Sequence, residues 1–223
     1  MSSLWKRSEW SFLGVLVGNL AALSMIWWFD WQVHALLLAY WLEAGVVGAI
    51  YVAKIHRAEG VDDPDSIRSF WKVDGEPPRS YVGRRNGDIA SALVDQYLFI
   101  WLIFGGVTVG GPFIEDFFFS AIEPARPLVV ASVAVSLVAT HVFSYWHEYL
   151  GNREFERRGP VSLLVEPGTR FLALFGAVFV GGAAVGLTRN PFAVAIVLTF
   201  FKTCADLFQH GRERERAVAG LET

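Results

Sequence analysis

The stretch VHALLLAYWLEAGVVGAIYV, residues 33–52, decides the class of fold. Glu43 is the single Asp, Glu, Lys or Arg residue in this stretch. A helix needs about 20 mostly apolar residues to cross the hydrocarbon core of a bilayer, which is roughly 30 Å thick. The stretch therefore predicts a membrane-spanning helix with one carboxylate inside it.

Five further apolar runs have a similar length, at 11–29, 89–109, 128–149, 171–187 and 191–208. They lack the shorter, alternating pattern of β-barrel strands. Charged residues make up 18% of the chain, whereas soluble domains contain about 25%. The sequence predicts an all-α polytopic membrane protein: a single domain, residues 1–223, built as a bundle of six transmembrane helices.

The basic residues predict the orientation of these spans. If the chain crosses six times, 17 of its 19 Lys and Arg residues lie on the side of both termini, and the exceptions are Arg126 and Arg189. Basic residues concentrate in cytoplasmic segments. We therefore expect a multi-pass protein of the cell membrane with both ends in the cytoplasm. The longest loop, residues 55–88, falls on that side, and its Asp and Pro residues predict a solvated cytoplasmic loop.

Composition and motifs exclude several other classes. The net charge of −3 and the lack of a basic stripe disfavour nucleic acid as a partner. A single cysteine, Cys204, rules out an internal disulfide. The first apolar run is too long for a cleavable signal peptide. No HExxH, GxSxG, Walker or GxGxxG motif is present. The predicted partners are the lipid bilayer and, as an open alternative, a small polar ligand or ion, and the oligomeric state stays open.

Ionisable residues inside the spans are the informative signal for function. Each costs roughly 2.5–3.5 kcal/mol at a helix centre on insertion scales, so such side chains usually face the interior and find a partner. Tyr40 and Glu43 share one face of the second span, and His141 and Ser144 share one face of the fourth. Glu43 lies deepest, and neither Glu43 nor His141 has a short route to water.

The sixth span carries a second polar stripe. Lys202, Asp206 and His210 follow at four-residue spacing and share one helical face. With Asp95 at the start of the third span and Arg170 before the fifth, they fall in the predicted cytoplasmic half. The polar residues of five spans thus converge at one depth, which predicts a cavity open to the cytoplasm and closed outside.

Structural readings compete with this prediction. Lys202 and Asp206 could form an internal ion pair. Asp95 and His210 could lie among lipid headgroups, and Arg170 could extend towards lipid phosphate. His141 could be a hydrogen-bonded core histidine with no role in chemistry.

Three functions therefore stay open. A divalent metal ion bound by His141, Asp206 and His210 could activate water, with Glu43, His141 and Asp206 as the catalytic set. In that case we expect a small polar ligand or ion to be bound by the polar side chains of Tyr40, Asp95, Ser144, Arg170 and Lys202. Alternatively, Glu43 titrates in a proton- or ion-coupled transporter. In the third hypothesis the polar cluster only holds helices together in a membrane scaffold.

Short motifs carry a resemblance to a known family. They are Tyr40-Trp41-Leu42-Glu43, then His141 with Ser144, and Lys202-Thr203 with Asp206 and His210. With these motifs the chain resembles an uncharacterised family of prokaryotic membrane proteins, domain of unknown function 6498, from the first span to the sixth. The resemblance implies a small multi-pass protein of bacteria or archaea and implies no activity.

Overall fold

The computed structural model describes residues 32–67, 69, 72–114, 122–201 and 203–204. Within these ranges the chain is helical apart from loops, turns and one isolated antiparallel bridge between Val73 and Glu76. The all-α class is thereby confirmed for the described residues. The predicted span at 11–29 lies outside them.

The described ranges contain six α-helices. They are α1 (Val33–Arg57), α2 (Asn86–Gly110), α3 (Pro127–Ser144), α4 (Pro160–Val165), α5 (Pro167–Thr188) and α6 (Phe192–Phe201). A π-helix, Tyr145–Leu150, prolongs α3, and short 3₁₀ helices occupy Pro78–Tyr81, Gly111–Phe113 and Glu154–Glu156.

Local chemistry explains several of the helix boundaries. Pro127 and Pro160 stand in the first turns of α3 and α4, where the missing N–H costs nothing and the fixed φ favours a helical start. Lys54, His56 and Arg57 lie in the last turn of α1, where cations interact favourably with the helix dipole. After α5, Arg189 takes a left-handed φ of 54°, a backbone conformation that commonly ends helices.

Two helices are long and apolar enough to cross a membrane. These are α1, with a mean hydropathy of 1.8, and α2 with its 3₁₀ extension to Phe113, with a mean hydropathy of 1.6. They contain the predicted spans 33–52 and 89–109. The helices α3 and α5 overlap the runs 128–149 and 171–187, and α6 covers the described start of the run 191–208. The six-span bundle itself stays a prediction.

The chain divides into two compact units. The first comprises His34–Gly111 and Ala125–Phe171. The second contains, among the described residues, 32–33, 112–114, 122–124, 172–201 and 203–204. In the second unit α5 and α6 pack closely, because a Cβ at Gly181 would lie 2.6 Å from the side chain of Val194. Glycine is therefore required at this helix contact.

The first unit has a hydrophobic core to which α1, α2 and the segments between the long helices all contribute. We call the residues 58–84 and 149–166 the loop region. Its buried side chains include Val73, Tyr81, Tyr149, Val161 and Leu164. The loop 55–88 is thus more ordered than the predicted solvated loop. Its turn-forming and acidic positions such as Asp63 and Asp65 are exposed, as is Val61, whereas Val73 and Tyr81 are buried in this core.

Candidate functional site

Glu43 and His141 form a direct hydrogen bond between α1 and α3. The Nε2 atom of His141 lies 2.5 Å from Oε1 of Glu43, although the two residues are 98 positions apart. Glu43 is buried, with 7% of its surface exposed, and the His141 side chain is 22% exposed. The two residues that the sequence singled out for having no short route to water therefore meet.

This pair can hold a proton in either of two ways. A protonated imidazole beside a carboxylate is an ion pair, and a neutral imidazole beside a carboxylic acid is a neutral pair. The net charge is the same in both states, and one proton lies along the short hydrogen bond. Histidine is the side chain whose ordinary pKa lies near physiological pH. A proton can therefore shift between the two side chains without changing the net charge of the pair.

The neighbouring predicted residues flank this pair. Tyr40 lies three residues before Glu43 on α1, and Ser144 lies three residues after His141 on α3; both are half-buried. Residues three apart on a helix face the same side. Tyr40 and Ser144 therefore lie on the faces that carry the pair.

Asp95 lies elsewhere on the surface. It is exposed on α2, and no described contact joins it to Glu43 or His141. Two residues further along, Tyr97 is buried and donates a hydrogen bond to the carbonyl of Ala44 on α1. Positions two apart on a helix point about 200° away from each other. Asp95 is accordingly directed away from α1.

The remaining predicted site residues lie outside the described part of the chain. They are Lys202, Asp206, His210 and the side chain of Arg170. Among the described residues, no three His, Cys, Asp or Glu side chains are close enough to hold one metal ion. Among the described residues, Glu43 and His141 would bring only two ligand side chains to a metal ion. The predicted metal set of His141, Asp206 and His210 stays a prediction.

A second polar cluster was not predicted. Arg158 contacts two carboxylates, with its Nη1 atom 3.1 Å from Glu154 and its Nη2 atom bonded to Glu166. The hydroxyl of Tyr51 donates a hydrogen bond of 3.1 Å to the other oxygen of Glu166. Burial lowers the pKa of Arg158, but Glu166 and Glu154 raise that pKa by more, so the guanidinium stays charged.

Asp62 is a third group that sequence reasoning missed. It is buried, and its carboxylate accepts hydrogen bonds from the backbone N–H groups of Val161 and Ser162 and from the Ser162 hydroxyl. These two amides belong to the first turn of α4, where N–H groups have no partner within the helix. Asp62 therefore ties the loop 55–88 to α4. Its only signal in the sequence is its position in an acidic run, and that signal does not predict its partner.

His34 joins three segments near the start of α1. Its Nδ1 atom accepts a hydrogen bond of 2.9 Å from the backbone N–H of Ala125, and its Nε2 atom lies 2.8 Å from the carbonyl oxygen of Thr108. A carbonyl only accepts, so Nε2 carries the proton and the ring is neutral. His34 is thus a structural histidine with both ring nitrogens bonded.

A family model matches residues 1–220. The chain belongs to DUF6498, a family of unknown function. This membership confirms the family predicted from the motifs around Glu43, His141 and Lys202. No curated protein and no solved structure matches the chain. Membership of DUF6498 assigns no activity, so a functional argument depends on the geometry of the pair.

Proposed function

We propose that this chain is a six-span membrane protein in which the Glu43–His141 pair takes up and releases a proton as a polar ligand or ion is handled from the cytoplasmic side. The observation that carries the proposal is the buried hydrogen bond of 2.5 Å between these two side chains. A proton- or ion-coupled transporter is the function class that this pair suits best.

The surface of α2 supports a lipid environment. Leu98, Phe99, Leu102 and Ile103 are all exposed large apolar residues of this helix. In the most apolar windows of α1 and α2, only 39% and 33% of the residues are buried, whereas a core helix of a soluble protein is mostly buried. Acyl chains are the solvent that such a surface fits.

The depth of Glu43 supports a functional role. It lies ten residues from the start of α1, which corresponds to about 15 Å along a helix. At that distance from the helix end a carboxylate is far from water if α1 spans a bilayer of roughly 30 Å. Intramembrane carboxylates paired with histidine are typical of proton pathways.

The proposal is tested by following the protonation of His141 directly. Protein labelled with ¹⁵N-histidine in detergent micelles or nanodiscs would be titrated between about pH 4 and pH 9, with His141→Gln used to assign the resonance. We expect His141 to titrate reversibly and Glu43→Gln to change its midpoint. A His141 resonance that stays in one protonation state throughout this range would show a fixed structural contact and overturn the proposal.

The six-span topology is tested by cysteine labelling. With Cys204 changed to Ser, a single cysteine would replace Glu123 or Asp65, both of which are exposed. An impermeant maleimide added to intact spheroplasts should label the Glu123→Cys protein. It should label the Asp65→Cys protein only after the membrane is opened. Equal labelling of both proteins in intact spheroplasts would contradict the proposed orientation.

A further inference from the structure

The helices α1 and α2 are joined by a reciprocal contact between two tryptophans. The Trp41 indole N–H donates a hydrogen bond of 2.9 Å to the carbonyl of Trp101, and the Trp101 indole N–H donates one of 2.8 Å to the carbonyl of Trp41. The two rings are stacked with their centroids 4.5 Å apart. Each tryptophan is therefore both donor and acceptor towards the other.

A glycine one turn after each tryptophan makes this contact possible. A Cβ at Gly105 would lie 2.6 Å from the Trp41 ring, and a Cβ at Gly45 would lie 2.9 Å from the Trp101 ring. Both helices thus carry Trp-x-x-x-Gly, and each ring covers the glycine of the other helix. We call Trp41, Gly45, Trp101 and Gly105 the tryptophan clamp. The earlier residue on α1, Trp41, contacts the later residue on α2, Gly105, and the reverse holds for Gly45 and Trp101, so the two helices are antiparallel.

The clamp faces away from Glu43. Trp41 and Gly45 are four residues apart and share the side of α1 that contacts α2. Glu43 lies midway between them, about 200° around the helix from each, because each residue turns an α-helix by about 100°. The side chain of Glu43 is accordingly directed towards α3, where it meets His141. A rotation of α1 against α2 would carry Glu43 away from this partner.

The distances show that a displacement of about 1 Å is enough to disturb the Glu43–His141 contact. Carbon atoms in ordinary contact are about 3.5–4.0 Å apart, so a methyl group at Gly105 would displace the Trp41 ring by about 1 Å. A similar displacement of Glu43 would lengthen its contact with His141 from 2.5 Å to the edge of hydrogen-bonding distance. The pair is therefore sensitive to a small change at a helix contact that it does not touch.

We propose that the tryptophan clamp is the positioning device of the proton site, because it fixes the rotation of α1 and so holds Glu43 against His141. This inference rests on the proposed function for its consequence, since a mispositioned pair would exchange its proton differently. Trp41, Trp101, Gly45 and Gly105 are positioning residues and do not touch the proton.

The α2 helix offers a matched pair of substitutions for the test. Gly105 lies under the Trp41 ring, whereas a Cβ at the adjacent Gly106 would meet no atom within 4 Å. Gly105→Ala and Gly106→Ala make the same change in helix propensity, so they differ only in the clash with the clamp. Trp101→Phe is a milder variant that keeps an aromatic ring and removes one N–H, and it serves if Gly105→Ala does not fold.

The readouts are the ¹⁵N resonance of His141 and the indole N–H resonances of Trp41 and Trp101. In Gly105→Ala we expect both indole resonances to shift and the His141 resonance to move at least half of the way to its position in Glu43→Gln. Trp101→Phe should move His141 in the same direction. Gly106→Ala should leave all three resonances in place.

A general loss of stability is separated from positioning by Leu164→Ala, which removes a buried side chain of the loop region. That variant should lower stability and leave the His141 resonance unchanged. The positioning proposal is overturned if Gly105→Ala and Trp101→Phe shift the indole resonances while His141 stays in place. If His141 fails to titrate in the unsubstituted protein, the proposed function falls, but the position of its resonance still reports whether the clamp holds the pair.

Discussion

One face of α2 exposes large apolar residues, whereas the described large apolar residues of the loop region, apart from Val61, are buried or half-buried. On α2, Phe99 and Leu102 have 67% and 56% of their surface exposed, whereas Leu163 and Leu164 in the loop region have 1% and 2%. The loop region therefore packs its apolar residues into the core that it shares with α1 and α2. The exposed face of α2 has the composition that the proposed contact with lipid requires.

Polar groups differ between these regions in the same way. In the loop region, Asp62 and Arg158 each have several polar partners, and these include backbone amides and carboxylates. On the apolar helices the described polar contacts are few and specific, such as Glu43 with His141 and the two indoles with helix carbonyls. A polar group in apolar surroundings is costly without its one partner, so each such contact determines how helices are placed.

The largest effect is expected when the Glu43–His141 pair is broken. His141→Leu leaves the Glu43 carboxylate buried without the imidazole, and removing one partner of a buried charged pair costs roughly 3–5 kcal/mol. We expect a loss in this range in the free energy of unfolding, measured by reversible unfolding in mixed detergent and SDS micelles. His147→Leu is the control, because His147 is exposed and stacks only on Phe143 among the described contacts.

Glu43→Gln combined with His141→Leu should recover part of that loss, because no buried charge then remains. Equal and small losses for His141→Leu and His147→Leu would show that the pair does not contribute to stability, and the polar contrast between the two regions would disappear.

The apolar contrast is tested by two leucines. Leu164→Ala should cost about 3 kcal/mol, because a buried leucine loses its contacts and leaves a cavity. Leu102→Ala should change the free energy of unfolding in micelles by less than about 1 kcal/mol, because its side chain is exposed to detergent or lipid and surface substitutions have small effects. A loss for Leu102→Ala as large as that for Leu164→Ala would mean that protein, rather than lipid, covers α2.

The next effect concerns the connection between the loop 55–88 and α4. Asp62→Ala removes the acceptor for the backbone N–H groups of Val161 and Ser162, and loss of such a capping residue costs about 1–2 kcal/mol. The exposed Asp65 provides the matched control, since Asp65→Ala removes the same carboxylate three residues away. The unfolding midpoint of both variants would be compared in one detergent. Identical midpoints would show that the Asp62 contacts contribute nothing.

The sequence predicted the parts of this structure that depend on local composition. Long apolar runs predicted α1, α2, α3 and α5, because a helix is the structure that satisfies its own backbone in apolar surroundings. The cost of a buried charge singled out Glu43 and His141 without naming them as partners. Their direct contact needed the relative placement of α1 and α3, which no pattern within either helix contains.

The same limit explains what was missed. The partners of Trp41, Asp62 and Arg158 lie on other helices or loops, at distances in sequence that periodicity does not reach. Asp95 was assigned to the site from its depth alone, and its direction on α2 became clear only from the face that Tyr97 and Trp101 present to α1. The position of a residue along a helix can be estimated from that helix alone, but the element that its side chain faces is known only from the packing of the neighbouring helices.

The smallest effect is expected at the turn that Glu76 forms in the loop region. Its carboxylate accepts hydrogen bonds of 2.8 Å from the Ser80 hydroxyl and 2.7 Å from the Arg84 guanidinium. The Ser80 hydrogen bond is the largest single cause that lowers the pKa of Glu76, and the charge and the hydrogen bond of Arg84 lower it further. A carboxyl whose pKa is lower in the folded state stabilises the fold above its unfolded pKa. That contribution is lost as the pH falls through the lowered pKa. Carboxyl ¹³C titration should place the Glu76 midpoint below that of a free glutamate.

Ser80→Ala and Arg84→Gln should each raise the Glu76 midpoint, while Arg79→Gln, a nearby basic residue with no described bond to Glu76, should leave it in place. Because Glu76 is fully exposed, water screens its charge, and the global free energy of unfolding should hardly change. An unchanged midpoint in both variants would show that these contacts are not formed in solution. A large change in global stability would instead show that exposed polar contacts in the loop region matter as much as the buried pair. That result would contradict the contrast between the two regions.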